Sequence, residues 1–228
     1  MARDSKLLRS QIDSLLASRL PDPSTWRTPK RGARVPTGNF EADSLTGGLP
    51  RGAITEICGP SGSGRTSLML SALALRTAEG EACAFIDAHN AFDPYSAEAT
   101  GVELSRLLWV RCASIDQALR ATDLVLHAGG FGLVVLDLGD FPPETVRRLP
   151  LYVWFRFRRA VEHTPAIFLV LEQEPHAKSC ASLVVQMETG TAQWLEATQN
   201  HGEISGDPGV RLFRGSRLMA KVVRSRAR

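Results

Sequence analysis

Between Ile54 and Leu70 the chain reads ITEICGPSGSGRTSLML. A short apolar run ends at Cys58 and enters a turn of Gly59, Pro60, Ser61, Gly62, Ser63 and Gly64. Arg65, Thr66 and Ser67 follow and open a stretch of good helix formers. Glycines at this spacing let successive backbone N–H groups wrap an anion, and the helix start behind them adds partial positive charge. The pattern is the phosphate-binding loop GxxxxGK[ST] with one change, because Arg65 stands where lysine is usual. Arginine keeps the charge, but its planar fork is no point charge aimed at a phosphate oxygen. Thr66 has the hydroxyl such loops offer to Mg²⁺, and Asp137, closing the apolar run from Leu133, is the acid type that completes a metal site. Two readings stay open: a site for ATP with Mg²⁺, held weakly if at all, or a glycine-rich turn that binds nothing.

These residues need a scaffold, and the rest of the chain reads as one. Its 228 residues, 43% hydrophobic and 22% charged, suffice for one sizeable α/β domain. Apolar runs at Ala82 to Asp87, Leu107 to Arg111, Leu133 to Asp137, Ala166 to Leu171 and Leu183 to Met187 predict strands. Continuous runs of this kind suit a parallel sheet covered on both faces. Helices are expected over Ser96 to Leu104, over Ser114 to His127 with Ser114 as N-cap, and over Glu144 to Glu162. Val210 to Phe213 and Arg217 to Arg224 predict a closing hairpin around Gly215-Ser216, after a polar span from Glu188 to Pro208. Residues 1–37 read as an amphipathic helix, Asp4 to Leu20, and a proline-rich linker; residues 38–228 read as the core domain. The helix could fold back onto its own core or dock on another subunit or partner.

Charge is concentrated rather than abundant: the net is only +3. One basic cluster, Arg147, Arg148, Arg156, Arg158 and Arg159, is interleaved with Tyr152, Trp154, Phe155 and Phe157. Those rings could stack on bases, or Leu149, Val153, Phe157 and Ala160 could simply be the core face of a helix with the arginines on its wet face. The other cluster is Arg211, Arg214, Arg217, Lys221, Arg224, Arg226 and Arg228, with no acid among them, a candidate contact for DNA or a partner. The four cysteines lack metal or disulfide spacing and read as buried thiols. His127, His163, His176 and His201 show no ligand spacing and read as structural or solvated. No run is long enough to cross a membrane, so a cytoplasmic, nucleoid-associated protein is expected.

In series, these pieces resemble the RecA recombinase core. Gly47-Gly-Leu-Pro-Arg-Gly52, the strand to Cys58, the glycine loop, Phe85 to Tyr95, the Walker-B-like Leu133 to Asp137, and Leu171-Glu-Gln173 occur in the family's order. The resemblance implies a RecA-like P-loop fold, a mostly parallel twisted sheet with helices on both faces and an antiparallel C-terminal hairpin. It implies that Gln173 is a nucleotide sensor and that Arg224 and Arg226 reach a neighbour's nucleotide. It also implies losses. The catalytic glutamate position falls on His89, and the two DNA-holding loops shrink to Gly139 to Pro143 and Glu174 to Lys178. No catalytic residue is assigned. A small chain of this kind is similar to ImuA-type proteins of bacterial mutagenesis cassettes. The expected role is a non-recombinogenic accessory in translesion synthesis that binds DNA, RecA or an ImuB-type polymerase subunit, with residues 4–20 available for self-association. The alternative is an active DNA-dependent ATPase in which Asp87 or Glu172 serves as base.

Overall fold

The structure, a computed structural model, describes residues 33–190, 192–196, 211–216 and 219–226. The expected helix from Asp4 to Leu20, most of the linker, His201, Arg217 and Arg228 lie outside the described residues.

The architecture is α/β. Eleven strands and six α-helices are present among the described residues: β1 (Arg34–Val35), α1 (Phe40–Thr46), β2 (Leu49–Pro50), β3 (Ala53–Cys58), α2 (Arg65–Ala78), β4 (Cys83–Asp87), α3 (Pro94–Ala99), β5 (Leu107–Arg111), α4 (Ile115–Ala128), β6 (Leu133–Asp137), α5 (Pro143–Arg147), α6 (Leu151–Val161), β7 (Ile167–Glu172), β8 (Ala181–Glu188), β9 (Ala192–Glu196), β10 (Arg211–Ser216) and β11 (Met219–Ser225). The central sheet has seven strands in the order β11-β8-β3-β7-β6-β4-β5. Only β11 runs antiparallel, along β8. Registers bring Cys58 beside Glu172 and Asp87 beside Asp137, so the strand ends that carry polar side chains form one edge.

Each parallel strand sends alternate side chains to two separate cores, as the period of two demands. One core packs Leu68, Met69 and Leu73 of α2 against Phe85, Val135, Leu169 and Val185. The other packs α4 and α6 against Ile86, Val134, Phe168 and Val184. In the second core Phe157 meets Phe168 edge-on at 5.5 Å. Helix α4 starts as expected, with the Ser114 hydroxyl accepting from the Gln117 N–H.

Three expected elements differ. The helix anticipated from Glu144 to Glu162 is two helices, because Pro150 has no N–H and holds Leu149 out of helical geometry. The helix expected from Ser96 starts earlier, at Pro94, where the Asp93 carboxylate caps it, and Gly101 at φ 95° ends it. The C-terminal hairpin does not turn at Gly215-Ser216. Strand β10 pairs with β9, inside the span expected to be irregular, and β11 pairs with β8. The two ladders follow one another along the same two chain segments, so Gly215 sits within a strand beside a register shift.

Candidate functional site

The glycine loop joins β3 to α2 at the polar edge of the sheet. Gly62 and Gly64 take φ 76° and 88°, values an L side chain resists, and Gly64 caps α2 with no side chain bonded to the helix start. No acid occupies the first turn of α2. Ser61, Gly62, Thr66 and Ser67 are exposed. Gly59 is required for close packing, since a Cβ there would stand 2.6 Å from the Met187 carbonyl oxygen. Helix-start donors without a capping side chain are what an anion needs. Thr66 and Asp137 line the same cavity of about 230 Å³, with Asp93, Ser96 and Asp140. Hard oxygen donors in one cavity fit Mg²⁺. The backbone cradle and the metal-ligand types therefore suit a nucleotide's phosphates.

Arg65 does not complete that cradle. Its side chain is only 8% exposed and is turned inward. Its guanidinium donates to the Glu172 carbonyl at 2.6 Å and to the Gly139 carbonyl at 3.4 and 3.5 Å. Gly139 permits this approach, because a Cβ would come within 2.8 Å of Arg65 Nη1. Gln173 joins the same knot: its Nε2 donates to the Gly139 and Phe141 carbonyls at 3.1 and 3.2 Å. The His89 ring packs on Phe141 with centroids 3.9 Å apart. Arg65, Gln173 and His89 thus converge on one loop, residues 139–141. A forked donor suits carbonyls left over at strand ends better than an ammonium would.

Neither substitute base faces the cradle. Asp87 accepts from the N–H groups of His89, Ala91 and Phe92 and from Trp109 Nε1, each at 3.1 Å. Burial alone would raise its pKa, but these four donors outweigh it and pull the carboxyl below its usual range. Glu172 points to the other face of the sheet, where its carboxylate meets His176 Nδ1 at 2.7 Å. Burial pushes Glu172 up to about 7, opposed by the His176 hydrogen bond. Glu56, in the same pocket, accepts from the His176 and Ala177 N–H groups at 2.7 and 2.6 Å, and its pKa is also raised by burial. The hydrogen bond to Glu172 raises His176 in turn. His176 is therefore not solvated but part of a buried acid–imidazole cluster. Its partner Glu56 lies 120 residues away, and no motif links them. Asp137 stays half-buried, its carboxyl raised by burial and lowered by the Gly139 N–H that it accepts at 2.9 Å.

The basic clusters are also sorted by the fold. On α6, Trp154 and Phe157 are buried, while Tyr152 and Phe155 are 65% and 48% exposed. The core face is as read: Val153 and Phe157 are buried, and Leu149 and Ala160 pack against the same core. Lys221 is opposed after all, by Glu188 at 2.8 Å. Arg224 donates to the Lys178 carbonyl, and Arg226 to the Ser179 carbonyl at 3.2 Å, so both brace the turn Lys178–Cys180. Arg211 and Arg214 lie on β10. The four cysteines are free and buried. Among the described residues no His, Cys, Asp and Glu group has a metal-binding arrangement, and no helix is long and apolar enough to cross a membrane.

Residues 30–141 match the family of the RecA N-terminal domain. Over 107 residues the chain is 44% identical to Protein RecA of Cutibacterium acnes, covering 46% of this chain and 31% of that protein. It is 42% identical over 105 residues to Protein RecA of Brucella anthropi, covering 45% and 29%. The chain thus spans about a third of the length of the curated relatives it matches. Among solved structures, that of the RadB recombinase shares the fold, with a TM-score of 0.54 at 19% identity over 67% of this chain and 82% of that one. The family match covers the glycine loop, His89 and Asp137 and stops at Phe141, the ring on which His89 packs.

Proposed function

We propose that this RecA-superfamily protein is a non-recombinogenic accessory of the bacterial DNA-damage response, of the ImuA type. It acts through its surfaces, and its nucleotide site is degenerate. The inward turn of Arg65 carries this reading. The residue that should supply charge at the β- and γ-phosphates instead donates to two carbonyls of its own chain. The backbone from Gly62 to Ser67 would hold a phosphate chain, and Thr66 and Asp137 would hold Mg²⁺, which supplies charge neutralisation to bound phosphates. Among the described residues, none of the three candidate bases is free to activate water. His89 is packed on Phe141, Asp87 is filled by four donors, and Glu172 faces the opposite core. Loss of such a group costs about 10²–10⁴-fold in rate. The brevity of the Gly139 to Pro143 and Glu174 to Lys178 loops further supports a protein that does not exchange strands.

Partners follow from the same reading: RecA, an ImuB-type polymerase subunit, or DNA met by the C-terminal basic residues, in the cytoplasm at the nucleoid. The competing reading is an active DNA-dependent ATPase, which the shared Thr66–Asp137 cavity favours. Isothermal titration with Mg-ATP and a turnover assay on the purified protein separate the two. The expected outcome is weak or absent binding and no turnover, with or without DNA, and no rescue by Arg65→Lys. Steady hydrolysis that Arg65→Ala abolishes would establish the ATPase instead.

A further inference from the structure

Helices α5 and α6 with the residue after them, 143–162, hold five arginines and two glutamates. The fold buries Val153, Trp154 and Phe157 and turns the stripe Tyr152, Phe155, Arg156 and Arg159 outward. These four lie at helical spacings of three, four and seven, so they share one exposed face. Arg156 is anchored there by Asp123 of α4 at 2.8 Å. The core has no use for the two outer rings, and a Tyr and a Phe at 65% and 48% exposure are costly to leave in water.

This face continues into the C-terminal basic strand, although the two are far apart in sequence. Helix α6 packs against the turn Lys178–Cys180, and Arg226, the residue after β11, donates to the Ser179 carbonyl there. Exposed Lys178 stands just before it, its carbonyl held by Arg224. Two clusters that read as separate thus meet around the short turn Lys178–Cys180. Helix α6 and Cys180 belong to the α4–α6 layer, whereas the glycine loop and α2 lie on the other layer.

We infer that the outer face of α6, continued over Lys178 to Arg226, is a binding track for single-stranded nucleic acid that works without nucleotide at the glycine loop. Unpaired bases offer π-faces to Tyr152 and Phe155, and the arginines and Lys178 meet the phosphates. A duplex hides the faces that the rings need. A second copy of this face is excluded by like charge. So is the chain's own N-terminal segment, whose first twenty residues carry Arg3, Lys6, Arg9 and Arg19 against Asp4 and Asp13. The reading above needs no α6 residue, so the two can fail separately.

Fluorescence anisotropy of a labelled oligo(dT) with the full-length protein, free of nucleotide and Mg²⁺, tests the track. The double variant Tyr152→Ala, Phe155→Ala is expected to weaken binding by about 30-fold or more, since each stacked ring contributes a large factor. Arg159→Ala should lower the slope of log K against log salt by about 0.7, one phosphate on a single strand. Both sites are exposed, and circular dichroism with urea unfolding confirms that the variants fold. An oligo(dT) carrying iodouridine should crosslink to Tyr152 or Phe155. Binding by the ring variant within about twofold of wild type, or no binding by wild type, overturns the proposal. Loss only in Arg224→Ala, Arg226→Ala also overturns it but leaves a DNA-binding accessory. Equal binding of poly-glutamate, independent of the rings, makes the face a protein dock and overturns the nucleic-acid assignment.

Discussion

The two layers on either side of the sheet treat the same strand ends in opposite ways. On the α2 side, the glycine loop leaves helix-start donors and Thr66 exposed, as if for a ligand. On the α4–α6 side, Glu56, Glu172 and His176 are sealed in the protein, where Glu56 accepts from the His176 and Ala177 N–H groups and Glu172 meets the imidazole. Adjacent residues of one strand divide between the layers, with Leu171 in the α2 core and Glu172 among the buried acids. Arg65 links them, because it starts in the loop and ends on the Glu172 carbonyl. The lesson is that a glycine loop keeps its helix-start donors open even where its arginine is turned inward. The backbone sets the shape, while single side chains decide whether charge points out or in.

The largest expected effect lies on the α4–α6 side. Phe157→Ala removes a ring with no exposed surface that packs on Trp154 and Phe168, and should cost about 3–5 kcal/mol in urea unfolding. Phe155→Ala, two residues away and half-exposed, should stay within about 0.5 kcal/mol. Equal losses would mean that the outer ring packs as the inner one does, erasing the division of α6 into two faces.

Proton linkage comes next and separates the acids by sign. Glu172, at about 7 in the fold against 4.5 in the unfolded chain, holds a proton that the unfolded chain releases. Stability should therefore fall as pH rises from 4.5 to about 7, by no more than about 3 kcal/mol. His176 is raised by its hydrogen bond to Glu172, so the two titrate as one pair and this decline belongs to both. Asp87 acts oppositely: its lowered pKa gives stability that is present above 3.8 and lost in acid. Denaturant midpoints across this range should show Glu172→Gln flattening the upper limb and Asp87→Asn the acid limb. A midpoint rising from pH 5 to 7 would contradict the buried-acid geometry.

The smallest effect concerns the residue that joins the layers. Arg65→Ala leaves the Glu172 carbonyl without this donor, while Gly139 keeps Gln173. The expected loss is about 1–3 kcal/mol by urea unfolding. No loss would show that the guanidinium is not held inward.

Much of the fold was readable because its signals are local. Leu107–Arg111 and Leu133–Asp137 are strands over the same bounds that their apolar runs mark. The Ser114 cap and the inner face of α4 follow from spacing alone. The C-terminal pairing was misread because apolar alternation shows that a strand exists without naming its neighbour. The helix across Pro150 was overextended because its periodicity continues while its backbone cannot.

What one-dimensional information decided here is the scaffold: glycine turns, apolar runs and caps act over a few residues, and their physics is complete within that window. What folding in space decided is the direction of the charged groups. Arg65 finds carbonyls 74 and 107 residues downstream, Glu56 finds amides 120 and 121 residues away, and α6 and Arg226 meet at the turn Lys178–Cys180. Burial makes every polar group seek whichever partner the topology brings within 3 Å, and that partner is invisible until the sheet has closed.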